Sequence, residues 1–205
     1  MKKVKLCLAM CLIFACSFTI QAQKVKVVSG DVKALKGEKI LQLNYNYESM
    51  TVGRFKTEAE YTNKKVEEYN KKEAGKGDKW LVTWNEDKAK RFQPAFEEHL
   101  NNALEKSSVI AGANKKDAKY TLTLKTVFFE PGFNVGIERR SASINVEVII
   151  TETKNPSAEV AKLFIKNIPG GGAMGFDFDS GYRVQKAYET AGTVIGKYLS
   201  KNAFK

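Results

Sequence analysis

His99 is the only histidine in the 205-residue chain, and that bounds the chemistry at once. A zinc site needs further imidazoles or thiolates at ligand spacing. A serine nucleophile with His99 as its base would call for a strained elbow such as Gly-x-Ser-x-Gly, which does not occur. His99 follows Phe96 by three residues, at the edge of an apolar stripe, so a structural role is expected for it. The glycines Gly170, Gly171, Gly172 and Gly175 match the spacing of dinucleotide sites, but Phe176 to Gly181 separates them from the next helix, where such sites place the pyrophosphate directly on the helix N-terminus. Asp177, Asp179 and Gly181 resemble half of a calcium loop without its closing glutamate. Asp179 or Ser180 as the cap of the terminal helix is the simpler account. Glu130 and Glu138 flank Phe133 and can pair with Arg139 or Arg140. A hydrolase built on these acids would need a carboxylate pair at a defined separation across a cleft. No cofactor, metal or catalytic residue is assigned, and an enzyme is not expected.

Aromatic residues offer a second kind of chemistry. If Lys79–Trp84 is extended, Trp80, Val82 and Trp84 share one side and could form a stacking platform for a sugar ring. Burial in the core is the plainer use of two large apolar side chains. Partner contacts are assigned to Trp80, Trp84, Phe129, Phe133, Arg139 and Arg140, with three surfaces in view: the loop from Phe129 to Arg140, the glycine-rich loop 169–181 and a charged arm.

The elements that must position these residues can be read from periodicity. Apolar and polar residues alternate along Lys119–Phe129, with Tyr120, Leu122, Leu124 and Phe128 on one face, and along 141–150, with Ala142, Ile144, Val146, Val148 and Ile150 on one face. Val160–Ile165 continues the set. The links are too short for helical crossovers, so antiparallel pairing is expected. Leu41, Leu43, Tyr45 and Tyr47 form an earlier amphipathic strand, extended by Met50, Val52 and Phe55 past a kink near Gly53. Residues 56–79 are densely charged around a thin stripe of Thr62, Val66 and Tyr69, and are expected to stand off the domain as a helix or hairpin. A helix capped by Asn85 carries Ala89, Phe92, Phe96, Leu100, Ala103 and Leu104, interrupted at Pro94. Residues 106–116 form a loop. The terminal helix, Tyr182–Lys201, has Val184, Ala187, Tyr188, Ala191, Val194, Ile195 and Tyr198 on one face, with Gly192 and Gly196 allowing a close approach to the sheet. The fold expected is α+β: a two-layer sandwich, mainly an antiparallel sheet covered on one face by two helices.

Composition adds a compartment. Lys2, Lys3 and Lys5 precede an apolar run from Leu6 to Ile20 and a small residue at Ala22, the pattern of a signal peptide over 1–22. The domain plan is therefore a leader, a partly ordered lead-in at 23–38, and a single α+β domain at 39–205 with the charged insertion at 56–79. All three cysteines, Cys7, Cys11 and Cys16, fall in the leader, so a chain starting at Gln23 has no disulfide and no thiolate ligand. Ile13–Ser17 also resembles a lipobox, which would make Cys16 an acylated first residue. Phe14 and the apolar run past Cys16 favour ordinary cleavage. No mature transmembrane helix is expected. Removing the leader takes away three lysines and no acid, which lowers the formal charge from +11 to +8. That charge points to anionic envelope partners, a glycan or lipid surface or an envelope protein, before nucleic acid. Lysines interspersed with glutamates would also simply keep the protein soluble.

The run Asp117-Ala-Lys-Tyr-Thr-Leu-Thr-Leu124, the strand Ser141–Thr153 and the glycine-bearing helix Tyr182–Ala203 resemble the layout of Gram-negative envelope domains similar to the amino-terminal domain of the TolB translocation protein and the periplasmic domain of the curli-secretion lipoprotein CsgG. The likeness covers about Lys39 to Lys205, with the insertion 56–79 departing from it. It implies a non-catalytic periplasmic or outer-membrane-associated binding or assembly module and transfers no functional residue. A peptidoglycan-binding or other carbohydrate-binding protein using Trp80, Trp84 or Phe133 is the alternative, and a hydrolase comes last.

Overall fold

Alternation of apolar and polar residues, where it is sustained, does become strand. A computed structural model describes residues 23–135, 138–170 and 179–205. In chain order the elements are β1 (Val25–Gly30), β2 (Ile40–Asn46), β3 (Thr51–Val52), α1 (Glu58–Lys72), α2 (Lys76–Asp87), α3 (Gln93–Leu104), β4 (Ile110–Gly112), β5 (Tyr120–Glu130), β6 (Phe133–Val135), β7 (Glu138–Arg140), β8 (Ser143–Glu152), β9 (Asn155–Pro169) and α4 (Ser180–Asn202). Seven strands form one sheet in the order β1-β9-β8-β5-β2-β4, with β3 pairing beside β2 on β5; β6 and β7 make a separate hairpin. Helices α3 and α4 cover one face. Their inward residues Phe96, Leu100, Tyr188, Ala191 and Ile195 share a core with Leu122, Leu124, Val146, Val148, Leu163 and Ile165. The expected α+β architecture is thus the observed one.

The details depart from expectation for physical reasons. The β5-β8-β9-β1 part is antiparallel, whereas β2 runs parallel to both β5 and β4, because the helices between β2 and β4 supply a crossover long enough to return the chain in the same direction. Residues 23–38 are not a loose lead-in: β1 is the edge strand on β9, and Asp31 caps a short turn that buries Val32 and Leu35. Residues 106–116 are not all loop, since Ile110–Gly112 pairs with β2. Phe128 does not continue the inward row of β5. A bulge at Val127 lets two residues of β5 oppose one step of β8, and Phe129 turns into the core in its place. Gly192 and Gly196 approach not the sheet but α3: a Cβ on Gly192 would lie 2.5 Å from the Phe96 carbonyl oxygen, and one on Gly196 2.6 Å from the Ala103 Cβ.

The largest departure lies at 76–92. Lys79–Trp84 is helical, not extended, and Asn85 is inside α2 rather than capping a new helix. From α2 the chain passes without a break through a wide turn at Lys88–Phe92 into α3, and the Gln93 N–H donates to the Lys88 carbonyl, five residues back. The wide turn ends one residue short of Pro94, with Gln93 between, and the missing N–H of Pro94 interrupts the ordinary four-residue ladder there in any case. Helix α1 begins where Thr57 accepts from the Glu60 N–H at 3.1 Å, while Glu60 reaches back to the Lys56 N–H at 3.0 Å, a variant of the capping box. Among the described residues no helix is long and apolar enough to cross a membrane.

An aromatic cleft at the end of the sheet

Residues Glu58–Asp87 fold as a helical hairpin against the end of β5. Trp80 and Trp84, four apart on α2, face Tyr61 of α1 at centroid distances of 6.0 and 5.1 Å and each other at 5.4 Å. Tyr69 meets Trp80 at 5.7 Å, and Phe55, on the turn after β3, meets Tyr61 at 5.6 Å. At its inner end the row continues through Trp84 to Phe129 at 5.1 Å, and Phe92 stacks on Tyr188 at 5.0 Å beneath the helices. The hairpin is therefore tied to the domain by its aromatic stripe, although its outer face is charged.

Between this row, the turn at Val52–Phe55, the end of β5, the start of the β6-β7 hairpin and the N-terminus of α4 opens a cleft of about 840 Å³. Its polar walls are built from both local and long-range pairs. Arg183 of α4 is 4 % exposed, and its guanidinium donates to the carbonyls of Pro131 (3.2 and 3.3 Å) and Gly132 (3.2 Å), which fixes the turn after β5 onto α4. Glu130 accepts from the Gly132 N–H at 3.0 Å and from Arg140 at 3.1 Å. Arg91, carried by the wide turn, bridges Asp87 at 3.0 Å and Asp179 at 2.7 Å. Asp179 also caps α4 by accepting from the Tyr182 N–H at 3.0 Å. The two acids that share Arg91 move in opposite directions. Burial raises Asp87, and Arg91 only partly offsets it. Burial acts the same way on Asp179, but the Arg91 hydrogen bond and the cap N–H groups outweigh it and bring the carboxyl below the usual range.

The structure sorts the residues singled out from sequence. Trp80 is half-buried and lines the cleft, and Phe133 and Arg140 are exposed at its rim, with Arg140 over the Phe133 ring at 5.6 Å. Trp84 also lines it but is 6 % exposed, with its indole N–H donated to Glu58, and Lys88 completes that cluster by pairing with Glu58 at 2.7 Å. Phe129 is a core residue at 1 % exposure and offers no outer surface. Arg139 pairs through its backbone with Asn134, and its side chain lies outside the described residues, as do Cys16, Asp177 and residues 171–178. His99 lies away from the cleft on α3, its Nδ1 3.0 Å from the Ala95 carbonyl and its Nε2 3.8 Å from Glu189. Among the described residues no cluster of three or more histidine, cysteine or acidic side chains could hold a metal. Sequence reasoning did not bring Arg54, Phe55, Tyr61, Tyr69, Arg91 and Arg183 to one place. The four-residue spacing of Trp80 and Trp84, and the Thr57-x-x-Glu60 start signal, were the available hints that both segments are helices.

Fold and site together define an α+β domain with an aromatic, ion-paired cleft between an accessory helical hairpin and one end of its sheet. No protein-family model matches the chain, and no curated protein matches it in sequence. Among solved structures it is similar to two dodecamers of PelC from Paraburkholderia phytofirmans, one of them a point variant, at 15% identity and TM-scores of 0.39 and 0.40, over 89% of this chain and 99% of each PelC chain.

Proposed function

We propose that this chain is an exported, non-catalytic binding module of the bacterial cell envelope, and that its cleft receives a glycan. The observation that carries the reading is the row Phe55-Tyr61-Trp80-Tyr69 along one wall of an 840 Å³ cleft whose other walls present arginines and carboxylates. Aromatic faces suit the C–H faces of a pyranose, and fixed polar groups at the edge orient its hydroxyls. The ion pairs of Arg91 with Asp87 and Asp179, and of Arg140 with Glu130, leave the acids acting as braces for the walls, which suits binding better than proton transfer. The basic and then apolar leader supports export. The likeness to the TolB and CsgG envelope domains belongs to the same proposal.

Tryptophan emission tests it. Trp80 is the accessible indole and Trp84 the buried one, so iodide should quench part of the emission, and that part should disappear in Trp80→Phe. Peptidoglycan fragments or envelope polysaccharides that occupy the cleft will shield Trp80 from iodide. A panel of such glycans that leaves both the quenching and the emission unchanged overturns the glycan reading.

A further inference from the structure

Resting on the glycan reading, we infer that the ligand is a carboxylated saccharide and that Arg54 and Lys64 recognise its acid groups. The cleft walls hold the cations Arg54, Lys64, Lys65, Arg91, Arg140 and Arg183 against the acids Glu68, Asp87, Glu130 and Asp179. Each acid has a near partner: Asp87 and Asp179 share Arg91, Glu130 has Arg140, and Glu68 has Lys65 at 3.2 Å. Lys64 reaches the same Glu68 only at 3.9 Å, and among the described residues Arg54 has no acid within ion-pair distance. The surplus is therefore positive and local.

Its position is what points to a ligand. Arg54 and Lys64 belong to different elements, the turn after β3 and helix α1, yet both stand over the Phe55 ring, at 5.5 and 5.8 Å from its centroid. Phe55 is the outer member of the aromatic row, meeting Tyr61, which in turn meets Trp80. The two cations are thus gathered at the mouth by one ring, at the end of the surface on which a sugar would lie. Both are solvent-exposed, so they engage a carboxylate without a large loss of hydration, and the guanidinium of Arg54 matches the two carboxylate oxygens as a fork. Neutral sugars use the aromatic row but gain nothing from this pair.

Calorimetry of the whole chain against acidic polysaccharides, alginate and hyaluronan among them, each paired with its carboxyl-reduced form, tests the assignment. The acidic form is expected to bind roughly tenfold more tightly than the reduced one at low salt, and the preference to shrink as salt is added. The double variant Arg54→Gln, Lys64→Gln should bind both forms at the affinity of the reduced one, while Trp80→Ala weakens both alike. Equal affinity of the native chain for the two forms, or a preference that survives in the double variant, overturns this inference and leaves the glycan reading standing. Failure of the native chain to bind any member, acidic or reduced, brings down both. Arg54 and Lys64 are surface residues outside the core, so loss of folding does not confuse the result.

Discussion

Replacing Gly192 by alanine sets two physical effects against each other. In an exposed helix interior the change should stabilise by about 1 kcal/mol, since glycine is the poorer helix former. Here a Cβ would sit 2.5 Å from the Phe96 carbonyl oxygen, 2.8 Å from the Leu100 nitrogen and 3.1 Å from the His99 Cβ. The first two are backbone atoms of α3 and cannot rotate away, so α3 and α4 must separate along a contact that includes Phe96, Leu100, Ala191 and Ile195, all fully buried. Overpacking of that kind costs up to about 3 kcal/mol. Subtracting the helix-propensity gain leaves a net loss of about 2 kcal/mol. With a urea dependence of about 2 kcal/mol per molar, the unfolding midpoint should fall by about 1 M with an unchanged slope. Thr193→Ala, on the adjacent position of α4, is the control and should shift the midpoint far less. A Gly192→Ala midpoint at or above that of the native chain would refute the claim that these helices meet backbone to backbone.

Asp179→Ala removes both a helix cap and a partly exposed ion pair, for a loss of about 1–2 kcal/mol in chemical denaturation, whereas Asp179→Asn keeps a capping oxygen and should lose less than about 1 kcal/mol. Because Asp179 titrates below its ordinary value in the fold, its contribution is complete above the ordinary aspartate range and disappears as pH falls through the lowered value. Acid unfolding of Asp179→Asn should therefore be less pH-dependent than that of the native chain. At the alkaline end, burial pushes the Tyr47 hydroxyl up to about 12 and raises Tyr45, Tyr61 and Tyr188 as well. The unfolded chain releases these protons near pH 10, so stability should decline as pH rises from about 10 towards 12, with a late, cooperative step in tyrosinate absorbance; smooth titration of all eight tyrosines near pH 10 would contradict the burial. Arg183→Gln leaves the Pro131 and Gly132 carbonyls short of donors in a buried site and should destabilise by about 1–3 kcal/mol while loosening the β6-β7 hairpin, visible as faster proteolysis within 131–140.

Where one physical signal dominates, the sequence is easy to read. The strands around Leu122, Val146 and Leu163 and the helix through Tyr188 and Ile195 carry long, unbroken periods, and the sheet-and-helix architecture follows from them. Trp80 to Trp84 is harder. An aromatic and β-branched run suits a strand locally, and against it stand the four-residue spacing of Trp80 and Trp84 and their contacts with Tyr61 and Phe129, distant in sequence. The Val127 bulge cannot be read from alternation, because it is defined by the partner strand, and it exchanges Phe128 for Phe129 in the core. The parallel placement of β2 depends on how three helices return the chain. The cleft was illegible for a related reason: its walls come from residues 52–69, 80–91, 130–140 and 179–183, which meet only after the sheet and α4 are in place.

The passage from α2 through the wide turn into α3 makes the cleft wall and a core helix one rod from Lys76 to Leu104. Mechanically, the hairpin is a cantilever whose root is clamped between α4 and the sheet and which joins that root through the five-residue turn at 88–92. Arg91, in that section, is strapped to Asp179 at the head of α4 and to Asp87 one turn up the rod. A force that pries Trp80 outward is thus resisted at a joint braced by three charges as well as along the aromatic row. The gape of the cleft is coupled to that joint, whose Asp87, Arg91 and Asp179 themselves stand in the cleft wall.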